Sequence, residues 1–509
     1  MRSMGMALMA SALLAGAATA AELRIGHSDL PLSGNPMCCT SNTHGYTLQA
    51  AYDHLTYIDD KGNAVGGILE SWTNPERNRW VVKVRSNVKF HNGRTLNVDD
   101  IVDQFTYYAT DEGKAKAVAI VRNLGAIKEV RKVDASTIEI ETRVPNPIMM
   151  SEVGMAKAVD MKHFADVGFD GYGTRPVGTG PYKPITWARD RVTLESHKDG
   201  WRPGKIDKFT IMALPEPPSR LQAFQSNQIE IAMQITSDAR QAVTRAGGRL
   251  HTASAPSILT LMFQSNPNGP AEERVRTLIK PSTDVRVRQA LNYAVNREEY
   301  LKAIIGEGIT VATGQPAPRT VRGYQPDIKA YPYDPAKARA LLSAAGYGSG
   351  LKLQAEVVNN VSELNDTYLK VGQDLARVGV ELEIRPITLA DLIARSRAQK
   401  AIEGQLFSFD MGSFPTMDMM RSINALHSCN TQGKWTCFPE IEPTIKAANE
   451  EFDMAKRAEH LRKIAQFYHE QATSIFLHEQ YQLDAISNKV QRWNPVNWYV
   501  NWHELEFRG

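Results

Sequence analysis

Ser71 to Val102 reads SWTNPERNRWVVKVRSNVKFHNGRTLNVDDIV, and its two halves follow two different periods. From Arg79 the chain sets Trp80, Val82 and Val84 on one side, the period of a strand with one buried face. After the turn-rich KFHNGR, Asn97 stands as an N-cap with Asp100 at the capping-box position, so NVDDIVDQFTYYAT is predicted to be a helix. Working outward, ELRIGHSDL, STIEIETRV, RVTLESH and KFTIMAL read as further strands in the first half. In the second half Val287, Ala290, Leu291, Ala294 and Val295 repeat at helical spacing behind the cap Asp284. Asn296 with Glu299 restarts a helix, and Asp334, Pro335 and Gly346 bound another. KLQAEVV and VELEIRPI are strands, and one long helix is expected over about 441–472. Strands alternating with helices predict α/β lobes.

The chain has 509 residues, too many for one ordinary core, so two or three domains are expected. Hydrophobic residues make up 42% and charged residues 23%, a globular balance. The net charge of +3, with no basic run, argues against nucleic acid as a partner. MRSMG, the apolar MALMASALLAGAA and the small residues Ala18-Thr19-Ala20 together form a signal-peptide pattern over 1–21. Ala21 or Glu22 would follow the cut rather than Cys, so no lipid anchor is expected. An exported, periplasmic protein follows.

The four cysteines suit an oxidising compartment. Cys429 and Cys437 bracket the polar loop NTQGKWT, and a bridge there would contribute about 2.5 kcal/mol. Cys38 and Cys39 are adjacent, and three states stay open: free, bridged to each other, or paired elsewhere.

Catalytic patterns are sparse. The loop PVGTGPYKPI, Pro176 to Ile185, resembles a phosphate cradle at first sight. A P-loop needs Lys-Ser/Thr after its glycines, and Pro181 has no N–H where a donor is wanted. His91 has no acid or thiol partner nearby in sequence and reads as a structural hydrogen-bonder. His460, His469 and His478 are nine apart and would face opposite sides of a helix. No zinc-protease or hydrolase motif occurs, and no cofactor or metal is expected. Trp493, Trp498 and Trp502 in WNPVNWYVNW read either as an aromatic box or as buried packing.

Four stretches occur together in register: the opening one, RPVGTGPYKPITW, DVRVRQALNYAVNREEYLKAII and YDPAKARALLSAAGY. They resemble the extracellular solute-binding proteins of the peptide/nickel class, family 5, across essentially the whole mature chain. That resemblance implies a large two-lobe periplasmic-binding-protein fold, type II-like and of cluster C, with an extra subdomain in lobe I. Lobe I would span 22–265, with the subdomain at about 57–178 and a return at 486–509; lobe II would span 266–485. The implied protein is not an enzyme. It is a monomer that closes on one small solute, peptide-like, opine-like or sugar-derived, and delivers it to an inner-membrane ABC permease.

Peptide-binding relatives carry an aspartate near a Trp-rich segment of lobe II. The matching stretch here, LFSFDMGSFPTMD, has no tryptophan, and its aspartates are Asp410 and Asp418. Candidate ligand contacts are Asp410, Ser413 and Phe414 in that stretch, with Arg395 and Arg397 upstream as partners for an anionic end. A solvated helix face is the other reading of the two arginines. Cys38, Cys39 and His44 fall in a loop that borders the cleft in relatives, and Tyr182 follows the GTGP turn. An exported hydrolase, or a binding protein turned chaperone or sensor partner, are the rival readings.

Overall fold

In the computed structural model, residues 22–38, 42–59, 61–265, 273–306, 308–358, 362–398, 402–429 and 435–508 are described. The expected signal segment lies outside them. One ten-stranded mixed sheet runs through the whole molecule. Its lobe I end holds Leu23–His27, Lys208–Ala213, Arg191–Ser196 and Tyr182–Trp187; its lobe II end holds Val380–Ile387, Leu351–Val358 and Leu406–Asp410. Two long antiparallel strands join them, Gly248–Phe263 and Ser474–Ser487. Their register breaks between Ser254 and Ile258, and again between Leu259 and Thr260. Breaks of this kind bend and twist a ladder locally.

Packing changes partner at the same place. One core gathers residues from Leu23 to Ile211 with Ile486, Val490, Trp493 and Trp502 from the tail. Two others cover the two faces of the lobe II sheet between Ile258 and Leu477. A small fourth core packs Ala223–Val243 against Leu483 and Ala485. A four-stranded antiparallel sheet, Leu69–Glu76, Arg79–Val84, Thr137–Thr142 and Ile127–Asp134, stands apart within the first part of the chain.

The local signals act as the sequence implies. Asn97 accepts from Asp99 N and Asp100 N and closes a full capping box with Asp100. Asp284 caps Val285–Ala294, whose spaced apolar residues Val287, Ala290, Leu291 and Ala294 are fully buried, as is Val295 just beyond it. One expected element differs. The single helix over 441–472 is two, Glu442–Glu450 and Met454–Glu470. Asp453 caps the second by accepting from Ala455 N and Lys456 N. Between them Phe452 packs on Trp80 of lobe I, ring centroids 6.1 Å apart, beneath the Arg77 guanidinium.

The GTGP loop is an architectural joint. Gly180 N donates to Ala51 O at the end of helix Asn42–Ala51. A Cβ on Gly178 would come within 2.0 Å of Ala51 O, and one on Gly180 within 2.5 Å of Tyr52 N. His91 fastens the loop: its backbone N–H donates to Gly178 O, its Nδ1 accepts from Gly178 N, and its Nε2 lies 3.1 Å from Gly180 O. Burial lowers the imidazole pKa to about 3, so it stays neutral.

Two glycine substitutions should move stability in opposite directions in urea unfolding. Gly180→Ala has to displace backbone and should cost ~1–3 kcal/mol or more. Gly372→Ala, in an open position on helix Ser362–Ala376, should stabilise by about 0.5–1 kcal/mol.

Candidate functional site

Two loops from opposite lobes hang on one strand. In Gly248–Phe263, Ser254 O accepts from Asn497 N at 3.1 Å and Pro256 O accepts from Ser413 N at 2.8 Å. The first bond fixes the returning tail of lobe I; the second fixes the loop that follows strand Leu406–Asp410 in lobe II. Phe414 therefore meets the tail across the cleft, its ring 5.7 Å from Trp498 and 5.1 Å from Tyr499. Asn497, Trp498 and Met417 all hold positive φ, 52°, 66° and 51°. Non-glycine residues occupy that region at a cost, and such residues cluster at ligand clamps.

The floor beneath is a row of polar side chains on Ser474–Ser487, two residues apart. Gln480 Nε2 donates to Asp410 Oδ2 at 2.8 Å. Gln482 accepts from Tyr46 OH at 2.5 Å and donates to Asp484 at 2.8 Å. Asp484, fully buried, also accepts from Trp493 Nε1 and Gln234 N. Burial alone would make that carboxylate costly; these donors satisfy it. On the lobe I side His44 Nε2 lies 3.0 Å from Asp29 Oδ2.

Asp410, Ser413 and Phe414 thus come together at the seam. Asp410 is half-buried, and burial pushes its carboxyl up to about 6 against the opposing bond from Gln480. Ser413 is buried. Asp418 is set apart by a buried ion pair with Arg457 at 2.5 Å and 3.1 Å inside lobe II. Cys38 is half-buried and disulfide-bonded; Cys39 lies outside the described residues. Cys429 and Cys437 stand as a disulfide pair with Cα atoms 4.8 Å apart.

Two expectations change, and one open alternative is decided. Tyr182 is wholly buried in the lobe I core, edge-on to Phe209 at 4.7 Å, with its hydroxyl accepting from Ile206 N. Its ring packs beneath Gly204 and cannot reach the cleft, so it is removed as a ligand contact. Arg395 places Nη1 on both oxygens of buried Glu356, at 2.7 Å and 2.9 Å, an ion pair within lobe II. The side chain of Arg397 lies outside the described residues. The three tryptophans form no box: Trp502 stacks on Phe209 at 4.9 Å and Trp493 is buried, leaving Trp498 alone at the cleft. Gln480, Gln482 and Tyr46 escaped sequence reasoning. The period-two spacing of Gln480, Gln482 and Asp484 was the available signal.

Further contacts hold the lobes together. Arg322 Nη2 donates to Gly62 O and to Asn63 Oδ1, and Arg421 Nη1 donates to Asn123 Oδ1 at 2.7 Å. The Phe452–Trp80 and Phe414–Trp498 pairs join the same two parts of the molecule. Among the described residues no group of three or more His, Cys, Asp or Glu is placed to hold a metal ion.

Comparison with known proteins adds the following. Residues 63–434 match the profile of the bacterial extracellular solute-binding proteins, family 5, middle region. A glutathione-binding protein of Shigella flexneri is 25% identical over 389 residues, 74% of this chain and 72% of its own. The dipeptide-binding protein of Escherichia coli is 25% identical over 499 residues, 91% of this chain and 90% of its own. The solved structure of HbpA2 from Haemophilus parasuis superposes with a TM-score of 0.81 at 20% identity, covering 96% of this chain and all of that one.

Asp410 carries a pH signature. Its carboxyl titrates higher in the fold than in the unfolded chain, so the folded state binds more protons between about pH 4 and 6. Its contribution is present below the unfolded pKa and is lost as pH rises through about 6. Unfolding free energy of the ligand-free protein should therefore fall across that window, and Asp410→Asn should flatten the fall.

Proposed function

The chain belongs to the bacterial extracellular solute-binding proteins of family 5, and from that membership we propose that it captures a peptide-like solute between its lobes and hands it to an ATP-driven permease of the inner membrane. The observation that carries this reading is the pair of opposed loops on one crossing strand, with Phe414 shut against Trp498 and Tyr499. A ligand that touches both loops favours the closed arrangement over the open one by its differential contacts, and closure follows as a population shift.

The solute class is argued from the seam. Asp410 is a carboxylate raised by burial and opposed by one amide donor, a setting that favours the arrival of an ammonium. The amino end of a peptide supplies one. The names of the dipeptide- and glutathione-binding relatives support the same class. Opine-like and sugar-derived solutes are the alternatives a screen would separate. We place the lobe boundaries at the register break, near Pro256 and Leu477, rather than at 265 and 485. Export to the periplasm through a cleaved signal segment, action as a monomer, and a Cys429–Cys437 bridge complete the reading.

Native mass spectrometry of the mature protein, before and after unfolding and refolding, is expected to release a small-molecule mass of amino-acid or peptide composition. Turnover of pooled peptides or esters by the purified protein would refute a binding role. Affinity for an amine-bearing solute should strengthen as pH rises through about 6, as Asp410 ionises, and Asp410→Asn should abolish that rise. Phe452→Ala removes an aromatic pair that joins the lobes, worth ~0.5–1.5 kcal/mol. It should weaken solute binding by about two- to tenfold and enlarge the liganded protein in small-angle scattering.

A further inference from the structure

Behind the Phe414 contact lies a cavity of about 400 Å3. Lobe I builds its wall with His54, Tyr57, Arg202, Asn497 and Tyr499, and Met417 of lobe II closes it. The volume falls within the range of small-molecule sites. The wall leaves groups of both kinds unmet: Arg202 Nε, a donor, has no hydrogen-bond partner among the described residues, and acceptors stand beside it. His54 Nδ1 lies 2.6 Å from Gly154 O, and a carbonyl only accepts, so Nδ1 carries the proton. Burial holds the ring neutral, which leaves Nε2 a bare acceptor. His54 and Asn497 are 2% and 8% exposed, and neither His54 Nε2 nor Asn497 Oδ1 has a hydrogen-bond partner among the described residues; nor has Tyr499 OH. Buried polar groups left unmet cost free energy, and a polar cavity of this size answers them with water or with a ligand.

Two arguments favour a ligand. The cavity borders residues held at positive φ on both sides, Asn497 on one lobe and Met417 on the other, and strain of this kind needs a surrounding that over-determines it. Its closing residue also comes from the opposite lobe, so whatever fills it is felt by closure. We propose that this cavity is a second solute subsite, which takes a group that both donates and accepts hydrogen bonds, an amide or a hydroxyl, on the part of the ligand that passes Phe414. The inference rests on the solute-capture reading above and extends it.

The test uses the whole mature protein, isothermal titration calorimetry, and trialanine and glutathione as probes. Asn497→Gly removes the acceptor and suits the left-handed backbone, so the loop keeps its path. Val65→Phe fills the cavity from its exposed rim on the short strand Ala64–Gly66 without touching the acceptors. Both variants should bind whichever probe the native protein binds at least about tenfold more weakly, with melting of the empty protein little changed. Native-like affinity in both would mean that the cavity holds only water; the subsite would fall and solute capture would stand. No binding of either probe by the native protein would overturn the peptide-like reading and the subsite with it.

Discussion

The pairing of Gly248–Phe263 with Ser474–Ser487 carries the rest of the molecule. Two strands of this length cannot both belong to one lobe, since the cores they pack against change partner at the register break. A continuous ladder would make the lobes one rigid slab. The irregular stretch around Pro256 interrupts it, so backbone bonds hold the lobes in one sheet while the angle between them can vary. The same stretch offers its free carbonyls to the loops at 413 and 497. One local defect therefore supplies both the bend in the shared ladder and the anchors for the loops at 413 and 497.

Polar burial at the crossing follows from that arrangement. A cleft floor that must exchange solvent for solute cannot be apolar throughout, yet unpaired polar groups there would destabilise the fold. The row Gln480, Gln482 and Asp484 resolves the conflict with side chains that satisfy one another and draw on Tyr46, Trp493 and Gln234. Asp410 sits at the end of the row with fewer partners than Asp484. That difference in satisfaction, rather than any difference in residue type, separates a structural carboxylate from a ligand candidate.

Closure contacts are made where local rules are broken. The helix expected over 441–472 is interrupted so that Phe452 reaches Trp80, and non-glycine residues accept positive φ at Met417, Asn497 and Trp498. Each departure costs conformational energy in the isolated segment. Tertiary contacts offset each of them, among them Phe452 on Trp80, Asn497 N to Ser254 O, Gln49 Nε2 to Trp498 O and Arg322 N to Met417 O.

The elements, their caps and their buried faces were legible in the sequence, because a capping box such as Asn97–Asp100 or a helical stripe such as Val287–Val295 is decided within a few residues. The GTGP loop could be freed of a phosphate role on Pro181 alone. The family-level resemblance carried the two-lobe fold. What it could not carry was which polar residues converge. Tyr182 and Arg395 fell within plausible neighbourhoods and found partners in their own lobes, while Gln482 and Tyr499 drew no notice. The seam joins residues near 44, 255, 412, 480 and 498, and nothing in any one of those segments fixes its distance to the others. Local periodicity sets which face of an element is buried; only the long-range pairing of the two crossing strands decides what that face is buried against.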